Sequence, residues 1–572
     1  MIAKFWNFLP DNLELQSRLS SELGISGVLS KLLVNRVGSY EKTHSFLNPQ
    51  LKDLCDPFVM RGMDAAVALI RKAAEQKKKF LVYGDYDVDG VSSTVLLLKL
   101  FRLLNIEVDY YIPNRVSEGY SFTDPGMAAV LDRKVDLLIS VDNGISSLEQ
   151  IKYLRKNGVD VIVTDHHEPP EILPPANVII DPKQKDCPYP FKQLAGVGVA
   201  FKLAWAVAQE FSRSKERVNP ELRTFLLDAL AWVALGTVTD LVPLVNENRL
   251  LAKFGIPAIH NSANKGLQAI YEITRSDSVQ LTAEDISFRI GPRINAAGRM
   301  GQVEKAVDLF LAESGDEAER LAKTLDELNR DRQAIEKEIF RTAKQRVEES
   351  SDKLIVLADE AWHPGVIGIV ASRLVEEFSK PAILISLERG VGKGSCRSLQ
   401  GLDIYKALTH CSDLFEAHGG HALAGGFQIK EENIEPFREK ISSFIAADLE
   451  NLDPRPTINI DGELFLSSVS RTLLSELDCL RPFGEGNPVP VFVSTGLDLA
   501  AHPQAVGRNQ NHLIFRVRQG GTEFKAIAFG RGRDRDELSR AQKVSLAHTP
   551  RLNFFNGRMS IELHVKDIKI DS

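Results

Sequence analysis

Short apolar runs alternate with helical stripes from Lys79 onward. The runs at residues 80–83, 108–112, 137–141, 159–164 and 178–180 are separated by patterns with helical spacing. That alternation predicts βαβ units and a parallel sheet. A helical region follows from 199 to 235, and mixed structure continues to 311. Residues 316–351 contain neither Gly nor Pro, and Leu321, Leu325, Leu328, Ile335 and Ile339 recur at helical spacing. One long helix with a single packed stripe is expected there, placed as a connector between two domains. Arg332 interrupts the stripe, which argues against a self-associating coiled coil. A second α/β unit follows, with a strand at 353–357, a helix at 368–377 and a strand at 382–386.

After Pro454 the texture turns to β. Runs at 513–518 and 524–529 flank Gly520-Gly521, and runs at 551–555 and 559–565 flank Asn556-Gly557. Both are hairpin signals, so a small antiparallel barrel or sandwich is expected. Residues 1–70 read as short helices and turns. The pattern thus divides into an N-terminal helical extension (1–70), an α/β domain (71–315), a connector helix (316–351), a second α/β domain (352–453) and a β-rich domain (454–572).

The composition is that of a soluble globular protein, and the net charge of −7 excludes a bulk polycation. Any nucleic-acid binding must therefore use local basic patches. The late β region has one: Arg508, Arg516, Arg518, Lys525, Arg531, Arg533, Arg535 and Arg540 face only Glu523, Asp534, Asp536 and Glu537. Phe515, Phe524 and Phe529 interleave, as stacking platforms for bases or as core residues of alternating strands. Cys55, Cys187, Cys396, Cys411 and Cys479 are scattered without a C-x-x-C pair, as expected of reduced thiols. The first residues lack the apolar core of a signal peptide, and the most apolar stretch, 229–239, is too short to span a bilayer. A cytoplasmic protein without membrane contact is expected.

The chemistry gathers where strands end. Residues 80–83 run into Gly84-Asp85-Tyr86-Asp87-Val88-Asp89-Gly90. The aspartates match the opening of an EF-hand, but its twelfth position is Leu96 and a strand precedes the loop, so a calcium loop is set aside. A loop at the carboxyl end of a strand is where open α/β sheets place ligands. Carboxylates crowded there repel unless protons or a cation neutralise them. Residues 137–141 run into Asp142-Asn143-Gly144, and 161–164 into Asp165-His166-His167. Leu235-Gly236-Thr237-Val238-Thr239, read as a further strand, runs into Asp240. One Asp after a strand is usually a helix cap. Four such loops point to a divalent-metal site.

These four segments resemble the motifs of the DHH phosphoesterase superfamily. Gly394-Ser395-Cys396-Arg397-Ser398 and His418-Gly419-Gly420-His421-Ala422 resemble its DHH-associated substrate domain. Ile112-Pro113-Asn114-Arg115, Arg293-Ile294-Asn295-Ala296-Ala297-Gly298-Arg299 and Trp362-His363-Pro364-Gly365-Val366-Ile367-Gly368 resemble the RecJ family of single-strand-specific 5′→3′ DNA exonucleases. The resemblance covers nearly the whole chain, and the late β region corresponds to that family's oligonucleotide-binding (OB) fold.

The resemblance implies two-metal hydrolysis of single-stranded DNA that releases 5′-mononucleotides, in DNA repair and recombination. It assigns Asp87, Asp89, Asp142, His166 and Asp240 as ligands of two divalent ions, with Asp142 the expected bridge. Two metals ~3.5–4 Å apart can activate a water and neutralise the leaving oxygen. Mixed carboxylate and imidazole ligands favour Mn²⁺, with Mg²⁺ the alternative. His167 would contact the scissile phosphate or orient its neighbour, and Asp85 and Asp165 would orient ligands. Arg115, Ser395 and Arg397 would hold the 5′-terminal phosphate, while Gly392 and Gly394 let backbone approach it. His363, His418 and His421, with the Gly-rich loop 418–426, would line the DNA; Arg293 and Arg299 would touch phosphates or form ordinary ion pairs. Tyr83 stands where relatives often place a His, which would weaken one metal position. Single-stranded DNA is the expected partner, with a helicase and a single-strand-binding protein beside it. The alternatives are a DHH phosphoesterase for short oligonucleotides and an inactive single-strand-binding scaffold.

Overall fold

The computed structural model describes residues 4–213, 218–275, 280–452, 455–555 and 558–571. Among these residues, a five-stranded parallel sheet has the order Val108–Tyr111, Phe80–Tyr83, Leu137–Val141, Asp160–Thr164, Val178–Ile180. The expected strands are all there, within about a residue. They read as unbroken apolar runs because both faces of the sheet are covered. Alternation sends Phe80 and Val82 into one core with helices Val88–Leu103 and Gly196–Phe211. Leu81 and Tyr83 enter the opposite core, with helices Asp124–Asp132 and Leu148–Lys156. Strand order reverses between Phe80–Tyr83 and Leu137–Val141, so their loops diverge and leave a crevice at the carboxyl edge.

The segment before Asp240 is not a strand. Leu235 to Thr239 is the last turn of helix Pro220–Thr239, and Asp240 caps its C-terminus. Leu235, Gly236, Thr237 and Val238 are all buried, so no polar face betrays the helical period. By length and composition this helix could cross a membrane, but 67% of its most apolar window is buried inside the protein. The apolar stretch 229–239 is only its second half. The region read as mixed is also helical, through Asn246–Asn261, Lys265–Thr274, Gly291–Arg299 and Glu304–Leu311.

The connector is a single helix, Gly315–Glu348. Its first half buries Leu321, Leu325 and Leu328 in the first core, and its second half buries Ile339, Ala343 and Val347 against the second sheet. Arg332 lies between, buried and paired with Glu336 and Asn329. The second sheet has the order Phe415–His421, Ala424–Lys430, Val391–Arg397, Ala382–Glu388, Ile355–Asp359. The Gly-rich segment 418–426 is therefore a paired hairpin and not a loop, and Ser395 and Arg397 sit in a strand. Glycine there is a packing requirement: a Cβ on Gly394 would lie 2.2 Å from the Phe427 ring.

The β-rich domain closes on itself, because Phe492–Val506 pairs with both His512–Gln519 and Lys543–Phe555. Gly520 and Gly521, at φ 54° and 86°, make the expected two-residue turn. Asn556-Gly557 lies outside the described residues, though Phe555 and Arg558 pair as that hairpin requires. The N-terminal extension is not a separate unit. Leu19, Leu29, Leu32 and Leu33 share one core with Leu464, Leu466 and Leu480 of the barrel domain. Strand Phe5–Phe8 pairs with Thr457–Ile460, and Trp6 donates to Asp567. Helix Met63–Glu75 belongs instead to the first α/β core. Local pattern cannot reveal a partner more than 400 positions away. Leu33→Ala should therefore destabilise the barrel domain by about 2–5 kcal/mol, seen as a lower urea midpoint, while exposed Lys42→Ala leaves it unchanged.

Candidate metal centre and substrate cleft

Because the first sheet is parallel, the loops after three adjacent strands meet at one edge. His166 Nε2 stands 3.1 Å from Asp142 Oδ1, 3.7 Å from Asp240 Oδ2 and 4.0 Å from Asp89 Oδ2. Three groups have ligand atoms within 4.8 Å of one another: Asp85, Asp87 and Asp142; Asp142, His166 and His167; Asp89, His166 and Asp240. Asp142 belongs to the first two groups and so joins the aspartate loop to the histidine loop. Asp85, read as an orienting residue, falls in the same group as Asp87 and Asp142.

The backbone is shaped around these carboxylates. Asp142 has a left-handed φ of 62° at the strand end. A Cβ on Gly196 would lie 2.5 Å from Asp142 Oδ1, and one on Gly236 2.4 Å from Asp89 Oδ1. Asp89 accepts the N–H groups of Gly196 at 2.7 Å and Val197 at 2.9 Å, at the start of a 16-residue helix. Asp87 caps helix Val88–Leu103 through one oxygen, so the cap and ligand readings hold together.

Burial, then repulsion from Asp87, pushes Asp89 up to about 7. Burial and the neighbouring carboxylates push Asp85, Asp142 and Asp240 well above the ordinary range. Burial holds His166 down to about 3, so its imidazole is neutral. Asp142 Oδ1 and His166 Nε2 are buried, close together and without a hydrogen-bond partner. Orphaned acceptors in an acidic pocket fit divalent cations bound by hard oxygens and one imidazole.

Asp165 turns away from the cluster. It accepts from Ile145 N at 2.9 Å, His166 N at 2.7 Å and His167 Nδ1 at 2.7 Å. Burial opposes charge on His167, but the Asp165 contact outweighs it and raises His167 to about 9. Tyr83 also lies away from the centre. Its hydroxyl donates to Ser121 O at 3.2 Å, and its ring stacks on Phe122 at 4.4 Å, on the far face of the sheet. Two groups went unread in the sequence. Gly196 had no local signal. Asp181, buried with one oxygen unpartnered and raised to about 7 by burial, ends strand Val178–Ile180 and followed the same rule as Asp142.

A cationic cluster lines the cleft between the two α/β domains. Arg115 lies 4.7 Å over the Tyr86 ring. Arg397 donates to Ser395 Oγ and Cys396 O. Half-buried Arg299 donates to Gly365 O, and desolvation followed by repulsion from Arg115 lowers it to about 9. None of the three pairs with a carboxylate among the described residues. Lys393, on the same face of its strand as Ser395 and Arg397, donates across the cleft to Val116 O. Arg293 is elsewhere, held by Asp326 of the connector helix. His363 accepts from Gly365 N beside Arg299. His418 packs near Phe415 and Tyr405, and exposed His421 sits in register two strands from Arg397. Among the described residues, neither forms a hydrogen bond or an ion pair with the carboxylates.

The barrel's basic excess is partly neutralised. Arg516 pairs with Glu523, Lys525 with Glu562, Arg531 with Asp567 and Arg535 with Asp536. Phe515 is core, Phe524 packs at the core margin, and Phe529 is exposed between His512 and His564.

Family models match the chain in three places: the DHH family N-terminal domain at 79–232, the DHHA1 domain at 351–447 and the RecJ OB domain at 460–567. The chain is 35% identical to the single-stranded-DNA-specific exonuclease RecJ of Bacillus subtilis, covering 98% of this chain and 70% of that one. It is likewise 35% identical to the RecJ of Haemophilus influenzae, over 91% of this chain and 93% of that one. The crystal structure of RecJ in complex with Mn²⁺ from Thermus thermophilus is similar at TM-score 0.84 and 30% identity, covering 99% of this chain and 80% of that one.

Two outcomes are expected. Gly196→Ala should drive Asp142 out of place and weaken Mn²⁺ binding roughly ten- to hundredfold, measured by calorimetric titration. In the metal-free protein, His167 should titrate near pH 9 by NMR, and the stabilisation from its Asp165 contact should be complete below its ordinary pKa and lost as pH rises through 9.

Proposed function

The chain belongs to the RecJ family of single-stranded-DNA-specific exonucleases, and we infer that it hydrolyses single-stranded DNA from the 5′ end, releasing 5′-mononucleotides. The observation that carries this reading is a buried carboxylate and histidine pocket beside a cationic cluster that forms no ion pair among the described residues. The pocket suits divalent cations, and the cluster suits the phosphates of the substrate.

Asp87, Asp89, Asp142, His166 and Asp240 would hold two divalent ions, with Asp142 shared between them. Bound there, the ions would polarise the attacking water and neutralise charge on the leaving oxygen. The imidazole ligand favours Mn²⁺ over Mg²⁺. His167, kept protonated by Asp165, donates to a non-bridging oxygen of the scissile phosphate. Asp85 adds negative charge beside Asp87 and Asp142. Arg115, Arg299 and Arg397, with Ser395, hold the 5′-terminal phosphate and so set the polarity. His363 borders this subsite beside Arg299. His418 and His421 lie along the exit of the hairpin face, and Arg293 supports the site through Asp326 instead of touching DNA.

The domain division follows the chemistry: a DHH catalytic unit, the connector, a DHH-associated substrate unit, and a barrel unit that includes the first helices. Arg508, Arg518, Arg533 and Arg540 of the barrel, which have no ion-pair partner among the described residues, and exposed Phe529 would grip the outgoing single strand. A substrate of this kind arises by unwinding, which makes a helicase and a single-strand-binding protein the natural partners. DNA repair and recombination in the cytoplasm follow as setting and location.

The test uses single strands labelled at either end, with and without a 5′ phosphate, in Mn²⁺ and in Mg²⁺. Mononucleotides should appear from the 5′ end only. Asp142→Ala should abolish turnover while the chain still folds. Arg397→Ala should lose roughly ten- to hundredfold of the preference for a 5′ phosphate, the worth of one charge-assisted hydrogen bond. Digestion from the 3′ end, or turnover that survives Asp142→Ala, would overturn the reading.

A further inference from the structure

Asp240 leads directly into a strap, residues 241–246, that the barrel domain holds from outside. Leu241 and Asn246 both have left-handed backbone, at φ 61° and 43°. Asparagine visits this region readily and Leu241 is exposed, so the two angles mark the bends at the ends of the strap. Between those bends a loop of the barrel domain packs against Pro243, Leu244 and Val245. Leu244 N donates to Glu485 O at 2.7 Å. Gly484 lies against the Leu244 side chain, where a Cβ would stand 2.7 Å from Cδ1, and Gly486 lies against Pro243 and Val245.

Two buried side chains clamp this junction. Arg249 donates to Phe46 O at 2.8 Å and to Cys479 O and Arg481 O at 3.1 Å, with its guanidinium 3.5 Å over the Phe46 ring. It therefore binds the N-terminal helices and the barrel loop to the helix that follows the strap. Asn248, fully buried, donates to Pro243 O in the strap and to Gln193 O. Gln193 lies three residues before Gly196, whose amide holds Asp89. The loop itself is braced by Asn487, which donates to Leu480 O and Pro482 O and accepts from Arg36.

We propose that the barrel-domain loop 479–487 positions the metal ligands Asp240 and Asp89, acting through the strap 241–246, Asn248 and Arg249. The barrel is then a structural part of the metal centre as well as a grip on DNA. Arg249 and Asn248 are positioning residues that touch neither metal nor substrate. The inference rests on Asp240 and Asp89 being metal ligands.

The test is calorimetric titration of Mn²⁺ into the metal-free full chain, repeated for Gly484→Ala and Arg249→Lys, with thermal unfolding as a control. Gly484→Ala presses a methyl group on Leu244 from the barrel side. Arg249→Lys keeps the charge but removes the fork that spans three carbonyls. Both variants should raise the Kd for Mn²⁺ at least about threefold, with the Mn²⁺ demand of turnover rising in parallel and KM for DNA changing less. A purely structural role would lower the unfolding temperature and leave the Kd of the folded protein unchanged. Should one variant fail to fold, the other decides. A Kd within twofold of the parent in the folded variants overturns the proposal and leaves the nuclease reading intact. A parent chain that takes up no Mn²⁺ overturns the metal assignment itself.

Discussion

Mutual repulsion among buried carboxylates at one sheet edge is the constraint on which the rest of this structure depends. Two like charges 4 Å apart repel by about 4 kcal/mol even at an effective dielectric of 20. Asp85, Asp89, Asp142 and Asp240 are gathered more tightly than an unliganded protein tolerates as anions. What surrounds them serves to keep them there. The amides of Gly196 and Val197 hold Asp89, and two glycines vacate the space that Asp89 and Asp142 occupy. The left-handed turn at Asp142 aims its carboxylate at the histidine loop. A pocket held open against its own charge is preorganised for cations, because the protein has already met the cost of assembling the ligands.

The cationic cluster solves the complementary problem. Arg115, Arg299 and Arg397 come from three segments on two domains, and none of them forms an ion pair among the described residues. Tyr86 lies between the two fields, its ring under Arg115 and its backbone beside Asp85 and Gly298. A polyanion with a terminal phosphate can satisfy both at once, with its end among the arginines and its next phosphodiester toward the carboxylates. On the proposed reading, polarity would follow from placement, with the cluster taking the charged end and the pocket the phosphodiester next to it. A neutral ligand, or a chain whose end carries no charge, would leave the arginines uncompensated.

Much of this was legible in the sequence. The parallel strands, the aspartate and histidine loops and the connector helix follow from apolar periodicity and from charges at strand ends. What escaped has physical causes. Leu235 to Thr239 looked like a strand because a helix buried on all sides shows no polar stripe. The segment 418–426 looked like a loop because glycine-rich segments carry little pattern, although its two arms pair with each other and the second also pairs with Val391–Arg397. Gly196 escaped because its role is to be absent from a space that only the folded chain defines. Arg293 and Arg299 are six residues apart in one motif, yet one is spent on Asp326 and the other faces the cleft. Only helix phase and the neighbouring connector decide between them.

The junctions between domains share a device that sequence cannot announce. Arg36, Arg249 and Arg332 are each buried where separate cores meet. Arg249 binds three carbonyls from two segments, Arg36 joins an N-terminal helix to Asn487 and Asp461, and Arg332 sits in the connector between its two apolar halves. Burying a guanidinium is costly, and fixed carbonyl and carboxylate acceptors offset that cost here, although Arg36 Nη1 and Arg249 Nε have no hydrogen-bond partner among the described residues. An apolar contact would hold these domains together about as strongly, but would let them slide. A planar fork facing fixed carbonyls does not slide, because any displacement leaves a buried charge unsatisfied. If carboxylates from one domain and arginines from two act on the same strand, as proposed, such fixity of orientation matters more than the strength of adhesion.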